Sequence, residues 1–426
     1  MNAMADVASP ALRDLVARRR RGYMLERDFY TDPDVFRADL EYIFNRHWIF
    51  VGVEPDVPEP GDVMTLKIGD NDILICRDDD GAIHAMHNVC RHRAARLVST
   101  EKATVGRLVC PYHAWTYGLD GALVHAEHMG EDFDHSCHGL KKIHLRSLEG
   151  LLFVCLAEEP PADFDEMARI VGPYIAPHEI ANCKVAQQID LIEEGNWKLT
   201  MENNRECYHC ALNHPELTTS IFEFGFGFDA REDDPARAAL RRNYDDMVAQ
   251  SCSAWAASGF PSEEIGHLDD MVSGFRIGRM PMDRDGESQT LDTKVASRRL
   301  LGQAKEKRLG DLSFHTQPNS WHHFMSDHIV TFSVLPLSPD RTLLRTKWLV
   351  HRDAIQGVDY DLENLIRVWR ETNLQDGALV GLAQAGASGA GYVPGPYSAE
   401  TEGQVEAFAN WYVRRMAAHL GIEPAR

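Results

Sequence analysis

Four residues between positions 90 and 113 have types and spacing suited to metal chemistry: the short pairs Cys90-x-His92 and Cys110-x-x-His113. Two thiolates and two imidazoles can hold structural zinc, which also accepts a Cys2His2 set. Classical zinc fingers, however, group their cysteines together and their histidines together, whereas here each pair is mixed. An iron–sulfur centre explains the mixing, because in a Rieske [2Fe–2S] cluster one iron takes two Cys and the other two His. On that reading Cys90 and Cys110 bind one iron and His92 and His113 the other, with Gly118 and Gly121 allowing tight turns nearby. Imidazole in place of thiolate sets the potential at roughly −150 to +300 mV, well above an all-cysteine cluster.

Such a cluster only carries electrons, yet the chain of 426 residues continues far beyond it. A second candidate site lies in "MENNRECYHCALNHPEL" at 201–217, which holds His209 and His214. A carboxylate as third ligand would complete a 2-His-1-carboxylate facial triad, the arrangement that leaves open positions for O2 on ferrous iron. Asp376 is the candidate: Trp369, Asn373 and Asp376 fall on one stripe of a predicted helix, so the carboxylate faces inward and needs a partner. Cys207-Tyr-His-Cys210 also matches C-x-x-C, a redox or zinc signature. No second cysteine pair follows at zinc spacing, and no βαβ context precedes it.

The elements that must position these groups can be read from periodicity. Residues 1–45 read as an amphipathic helical segment with an N-cap near "YTDPDVF". From about Trp48 the period becomes two: "DVMTLKIG", "DILICRD" and "AIHAMHNV" alternate, "DDDG" marks a turn, and "GLLFVCLAEEPP" closes a compact all-β unit over 46–160. Residues 161–426 mix both periods. "NWKLTMENNRECYHC" predicts a helix from about 195 to 211, residues 229–310 read as helices plus a mobile loop, and "HIVTFSVLPLSPDRTLLRTKWLVHRD" reads as two strands around a turn. "DYDLENLIRVWRETNLQDGALVGLAQA" is a long helix, followed by the glycine-rich "GASGAG" read as a loop.

Composition narrows the partners. A net charge of −21, from 44 basic and 65 acidic residues, argues against nucleic acid and anionic membrane and suits a cationic substrate. No apolar run approaches the roughly 20 residues that cross a bilayer. The basic run Arg18–Arg21 precedes "GYMLERDFY", which has no apolar h-region, so it reads as a helix end rather than an export signal. Nine cysteines without disulfide-scaffold spacing point to the reducing cytoplasm. No G-x-G-x-x-G unit opens a helix after a strand, so electrons must come from a separate protein.

The ordered pair C-x-H…C-x-x-H and E-x-Y-H-x4-H resembles the α subunits of Rieske non-haem iron oxygenases over essentially the whole length. "NWKLTMENNRECYHC" with "NHPEL" is similar to the branch that oxidises quaternary amines: glycine betaine, proline betaine and carnitine. The resemblance implies an α+β fold, an all-β Rieske domain beside a helix-grip catalytic domain of antiparallel sheet and helices, assembled as a homotrimer. It implies hydroxylation of an N-methyl group, with glycine betaine the foremost substrate; ring hydroxylation of an aromatic compound is the alternative. It also implies a flavin-containing, NAD(P)H-dependent reductase as partner, and a bridging carboxylate at Glu206 linking His209 to a neighbouring subunit's cluster. Many family members carry Asp there. For the quaternary ammonium, aromatic faces at Phe222, Phe224, Phe226, Phe228, Trp321 and Phe324 are candidates. Arg276 or Arg279 could hold a substrate carboxylate.

Overall fold

The computed structural model describes residues 9–220, 235–282 and 286–423. The alternating stretches form an antiparallel seven-stranded sheet, in spatial order Ile49–Val53, Leu151–Cys155, Lys142–Leu148, Ile83–His87, Asn71–Arg77, Asp62–Ile68 and Lys102–Thr104. A small sheet of Leu108–Val109, Thr116–Tyr117 and Leu123–His125 stands beside it. The "DDDG" turn closes with the Asp78 N–H donating to Ala82 O, and Gly81 takes a positive φ of 85° that favours glycine there.

A second antiparallel sheet of seven strands runs Cys183–Glu193, Arg341–His351, His328–Ser338, Ser320–Phe324, Asp311–Thr316, Phe275–Met280 and Ile265–His267. The helix Leu362–Ser388 packs on its first strand and on the helix Trp197–Asn204. Leu365, Trp369, Asn373 and Val380 are buried along this helix, the stripe that the periodicity predicts. Among the described residues the fold is thus α+β, with two seven-stranded antiparallel sheets, a small three-stranded one, and helices on the second large sheet. No helix among the described residues is long and apolar enough to cross a membrane.

Four sequence expectations need correction. The helix expected over 195–211 stops at Asn204, and after a turn a short helix, Cys210–Asn213, follows. Residues 229–310 are not only helix and loop: besides the helix Pro235–Ala257 they contribute the strands Ile265–His267 and Phe275–Met280. The "GASGAG" stretch is partly helical, since the long helix runs on through Ser388. Finally, the turn after Asn204 brings Cys207 and Cys210 to a Cα–Cα separation of 5.0 Å, and the two are joined as a disulfide.

Two buried ion pairs fasten the layers. Asp39, from the N-terminal segment, is fully buried; it accepts from Lys198 Nζ, from Trp197 Nε1 at 2.9 Å and from Tyr412 Oη at 2.6 Å. Asp32 caps the helix Pro33–Ala38 through the Asp34 and Val35 N–H groups, as the sequence predicts. Asp56, from the first sheet's side of the molecule, accepts from Lys347 of the second sheet and from Lys102 at 3.0 Å. Burial alone would raise the Asp56 pKa, but the charges of Lys347 and Lys102 outweigh it and hold it below the ordinary 3.8. This contribution is therefore complete above about pH 4 and is lost as pH falls through the folded-state value. Asp56→Ala, which leaves Lys347 buried and unpaired, is expected to cost about 3–5 kcal/mol in denaturant unfolding at pH 7. A loss below about 1 kcal/mol would show that the pair does not fasten the two sheets.

Candidate active site: two metal centres and a charged cavity

The two cysteine loops are built alike. The Cys90 N–H donates to Ala95 O and the Cys110 N–H to Trp115 O, both at 2.8 Å. The Ala94 N–H returns to Cys90 O and the Ala114 N–H to Cys110 O, both at 3.1 Å, through residues at φ 57° and 54°. Each loop buries its cysteine, at 2% exposure, and leaves its histidine exposed. The His92 and His113 rings lie side by side with centroids 4.6 Å apart, and His92 stacks on Trp115. The Arg91 N–H donates to Tyr117 Oη at 3.0 Å, so the Tyr117 hydroxyl proton is free to point at Cys90 Sγ, 3.3 Å away. Two buried sulfurs beneath two exposed imidazoles fit a cluster whose inner iron is thiolate-bound and whose outer iron is histidine-bound.

The second centre forms where the turn after Asn204 meets the long helix. His209 Nε2 and His214 Nε2 lie 3.2 and 3.0 Å from one oxygen, Asp376 Oδ1. Their other ring nitrogens are occupied. His209 Nδ1 donates to Glu206 Oε1, and His214 Nδ1 donates to Gln375 Oε1 at 2.8 Å. Gln375 Nε2 in turn donates to Glu216 Oε2 at 2.9 Å, which fixes the amide orientation. Both Nε2 lone pairs are therefore aimed at the point that Asp376 faces, and buried His214 Nε2 has no hydrogen-bond partner. That donor set fits a divalent iron. Without the ion, burial would lower the His209 pKa, but the flanking Asp376 and Glu206 carboxylates lift it to about 9. The Asp376 carboxyl, which burial alone would raise, is held below its ordinary value by the two histidines. Cys210 also offers a sulfur within 4.8 Å of the histidine ligand atoms, but the disulfide leaves it no thiolate.

A cavity of about 250 Å³ opens beside this centre. Glu206, His209, His214 and Asp376 line it, together with Trp369, Arg205, Arg276, Asp311, His315 and His323. Of the expected aromatic faces, Trp321 and Phe324 are not in the lining. Trp321 stacks on Phe332 one layer deeper, and Phe324 is fully buried in the core behind the sheet. Phe222, Phe224, Phe226 and Phe228 lie outside the described residues. The two arginines separate because strand alternation sends residues an odd number apart, here three in "RIGR", to opposite faces. Arg276 reaches the cavity, whereas Arg279 is tied on the other face to Leu309 O and His178 Nε2. Sequence reasoning missed Arg205, Asp311, His315 and His323. For Asp311 and His315 the only sequence signal was polar residues alternating along "DLSFHT", which is weak without knowledge of the fold, and Arg205 and His323 carried none.

Fold and site together define a Rieske-type iron oxygenase subunit. Residues 47–146 match the Rieske [2Fe-2S] domain, and residues 180–418 match the ring hydroxylating alpha subunit (catalytic domain), so the chain belongs to that family. It carries a Rieske [2Fe–2S] cluster and a mononuclear iron. Among its relatives, the glycine betaine monooxygenase oxygenase subunit of Chromohalobacter salexigens is 44% identical, covering 98% of this chain and 91% of the relative. The protein of the same name from Pseudomonas aeruginosa is 42% identical over 98% and 95%. A crystal structure of a quaternary ammonium Rieske monooxygenase with L-carnitine has the same fold, with a TM-score of 0.68 at 21% identity, covering 95% and 98% of the chains.

Proposed function

We propose that this chain is the oxygenase component that hydroxylates an N-methyl group of glycine betaine, releasing formaldehyde and dimethylglycine. The observation that carries the reading is near-full-length identity of 42–44% to proteins named glycine betaine monooxygenase oxygenase subunit. The bound metals would supply O2 binding and the electrons for it. The chain's own part is to set the geometry. Cys90, His92, Cys110 and His113 hold the cluster, and His209, His214 and Asp376 hold the iron. Glu206 and Gln375 lock the imidazoles from behind. The hydroxymethyl product is a carbinolamine, which collapses without further catalysis to formaldehyde and the tertiary amine. A division into 1–45, 46–160 and 161–426 is supported by the two large sheets and by the short helices that precede the first of them among the described residues. An aromatic hydrocarbon fits poorly, because buried Asp311, His315 and Arg276 line the cavity. Carnitine and proline betaine share the zwitterionic chemistry and are the nearest alternatives.

Electrons would come from a flavin-containing, NAD(P)H-dependent reductase docking near the exposed His92 and His113. In a homotrimer, Glu206 would meet a neighbour's cluster histidine. The unpaired cysteines, seven in number, fit a cytoplasmic setting. Formaldehyde release from glycine betaine should require the chain, a reductase, NAD(P)H and O2 together. Turnover of substrate and NADH by the chain alone would remove the reductase from this account. Absence of formaldehyde from every N-methyl betaine would remove the reaction.

A further inference from the structure

The cavity beside the iron centre has a charge at each end of its floor. Asp311, Ser313 and His315 alternate along one strand and all line it. The register pairs His315 with Arg276 and Asp311 with Met280 on the neighbouring strand. The acidic end and the basic end are thus separated by four residues of strand, about 13 Å between Cα atoms.

The basic end holds two buried guanidinium groups. Arg276, 7% exposed, gives Nε and Nη2 to Glu264, whose side chain is 60% exposed; Nη1 makes no hydrogen bond among the described residues. Arg205, 2% exposed, is held by the carbonyls of Thr316 and Ser320 at 3.1 and 3.3 Å and by Asn204 Oδ1 at 2.8 Å, and its Nε has no partner among the described residues. Burial, and then the charge of Arg276, bring the Arg205 pKa down to about 9. Burial and the same two arginines keep His315 neutral, with Nδ1 unpartnered. Of the two buried cations only Arg276 meets a carboxylate, the largely exposed Glu264, and Arg205 is held by neutral oxygens, so this end of the cavity lacks an anion.

The opposite end is complementary. Asp311, 5% exposed, accepts at Oδ2 from His323 Nδ1 at 2.7 Å and from Gln289 Nε2 at 3.2 Å, and its Oδ1 has no partner among the described residues. His323 stacks on Trp369 at a centroid distance of 4.5 Å, and Trp369 Nε1 donates to Gln289 Oε1 at 2.6 Å. A carboxylate beside aromatic rings suits a cation that cannot donate a hydrogen bond.

We propose that Arg276 and Arg205 bind the carboxylate of a zwitterionic substrate while Asp311, with Trp369 and His323, faces its quaternary ammonium. The cavity then selects betaines over cations such as choline that lack the carboxylate. This deepens the betaine reading and rests on it for the identity of the ligand.

The test uses the loaded oxygenase with its reductase and compares glycine betaine with choline. Arg276→Gln is expected to raise KM for glycine betaine at least about tenfold, the effect of losing one charged hydrogen-bond donor, with kcat little changed. KM for choline should stay the same or fall. Asp311→Asn should raise KM for both. Iron content and the cluster spectrum serve as folding controls. An unchanged KM for glycine betaine in Arg276→Gln, or an equal rise for choline, overturns the proposal while leaving demethylation intact. Equilibrium dialysis with labelled glycine betaine separates the two readings if no turnover is found. Uptake by the unmodified protein that weakens in Arg276→Gln sustains the carboxylate site even where the reaction fails, and no saturable uptake overturns both.

Discussion

Asp376→Ala is expected to strip the mononuclear iron and abolish product formation while the red-brown cluster spectrum stays intact. Asp376 Oδ1 is the atom on which both histidine Nε2 atoms converge, at 3.2 and 3.0 Å. Alanine leaves two neutral imidazoles and no anionic ligand, on a helix whose remaining contacts are unaffected. Groups that merely support a ligand typically cost 10–100-fold when removed, so losing the ligand itself should cost more than about 100-fold in turnover. Iron analysis should fall from three per chain to two. His113→Ala is the converse: it removes a ligand from the exposed outer face of the cluster and should erase the cluster spectrum. An Asp376→Ala protein with three irons and full activity would take Asp376 out of the site.

Glu206→Gln should leave both centres loaded and the cluster reducible, yet slow product formation at least about tenfold. Glu206 Oε1 accepts from His209 Nδ1, and Oε2 accepts from the backbone N–H groups of Tyr208 and His209. The helix ends at Asn204, so Glu206 sits in the turn with His209 rather than one helical turn before it. The glutamate side chain reaches its own subunit's imidazole. The glutamine oxygen can still accept from Nδ1, which preserves the ligand's position. What disappears is the negative charge that would link His209 to a cluster histidine across a subunit interface. A carboxylate that only supported the turn would lose stability on this change, because the amide NH2 meets the Tyr208 and His209 N–H groups, but would leave electron transfer from the cluster unaltered. Single turnover of the pre-reduced protein with substrate and O2 decides: cluster oxidation and product yield matching the unmodified protein would exclude Glu206 as the bridge.

Both candidate ligand sets were legible as neighbours because each is mostly local. Cys90-x-His92, Cys110-x-x-His113 and the His209–His214 pair lie in short segments whose spacing reflects the loops they form. Asp376 is 167 residues from His209, yet helical periodicity placed it on the buried stripe with Trp369 and Asn373. The strands Asp62–Ile68, Asn71–Arg77 and His328–Ser338 likewise announce themselves by alternation or by an apolar run.

The cavity was decided by tertiary structure alone. Its floor is assembled from Phe275–Met280, Asp311–Thr316 and Ser320–Phe324, and only their register sets Arg276 beside His315 and His323 beside Ser313. Cross-strand neighbours carry no local sequence signal, because pairing is fixed by which faces must be buried throughout the sheet. For the same reason Trp321 and Phe324, attractive as isolated aromatics, went to the core, and Arg205 entered the site only because the predicted helix broke one residue before it. Chemistry carried by short-range spacing is written in the chain, whereas the cavity's cross-strand neighbours exist only once the second sheet has formed.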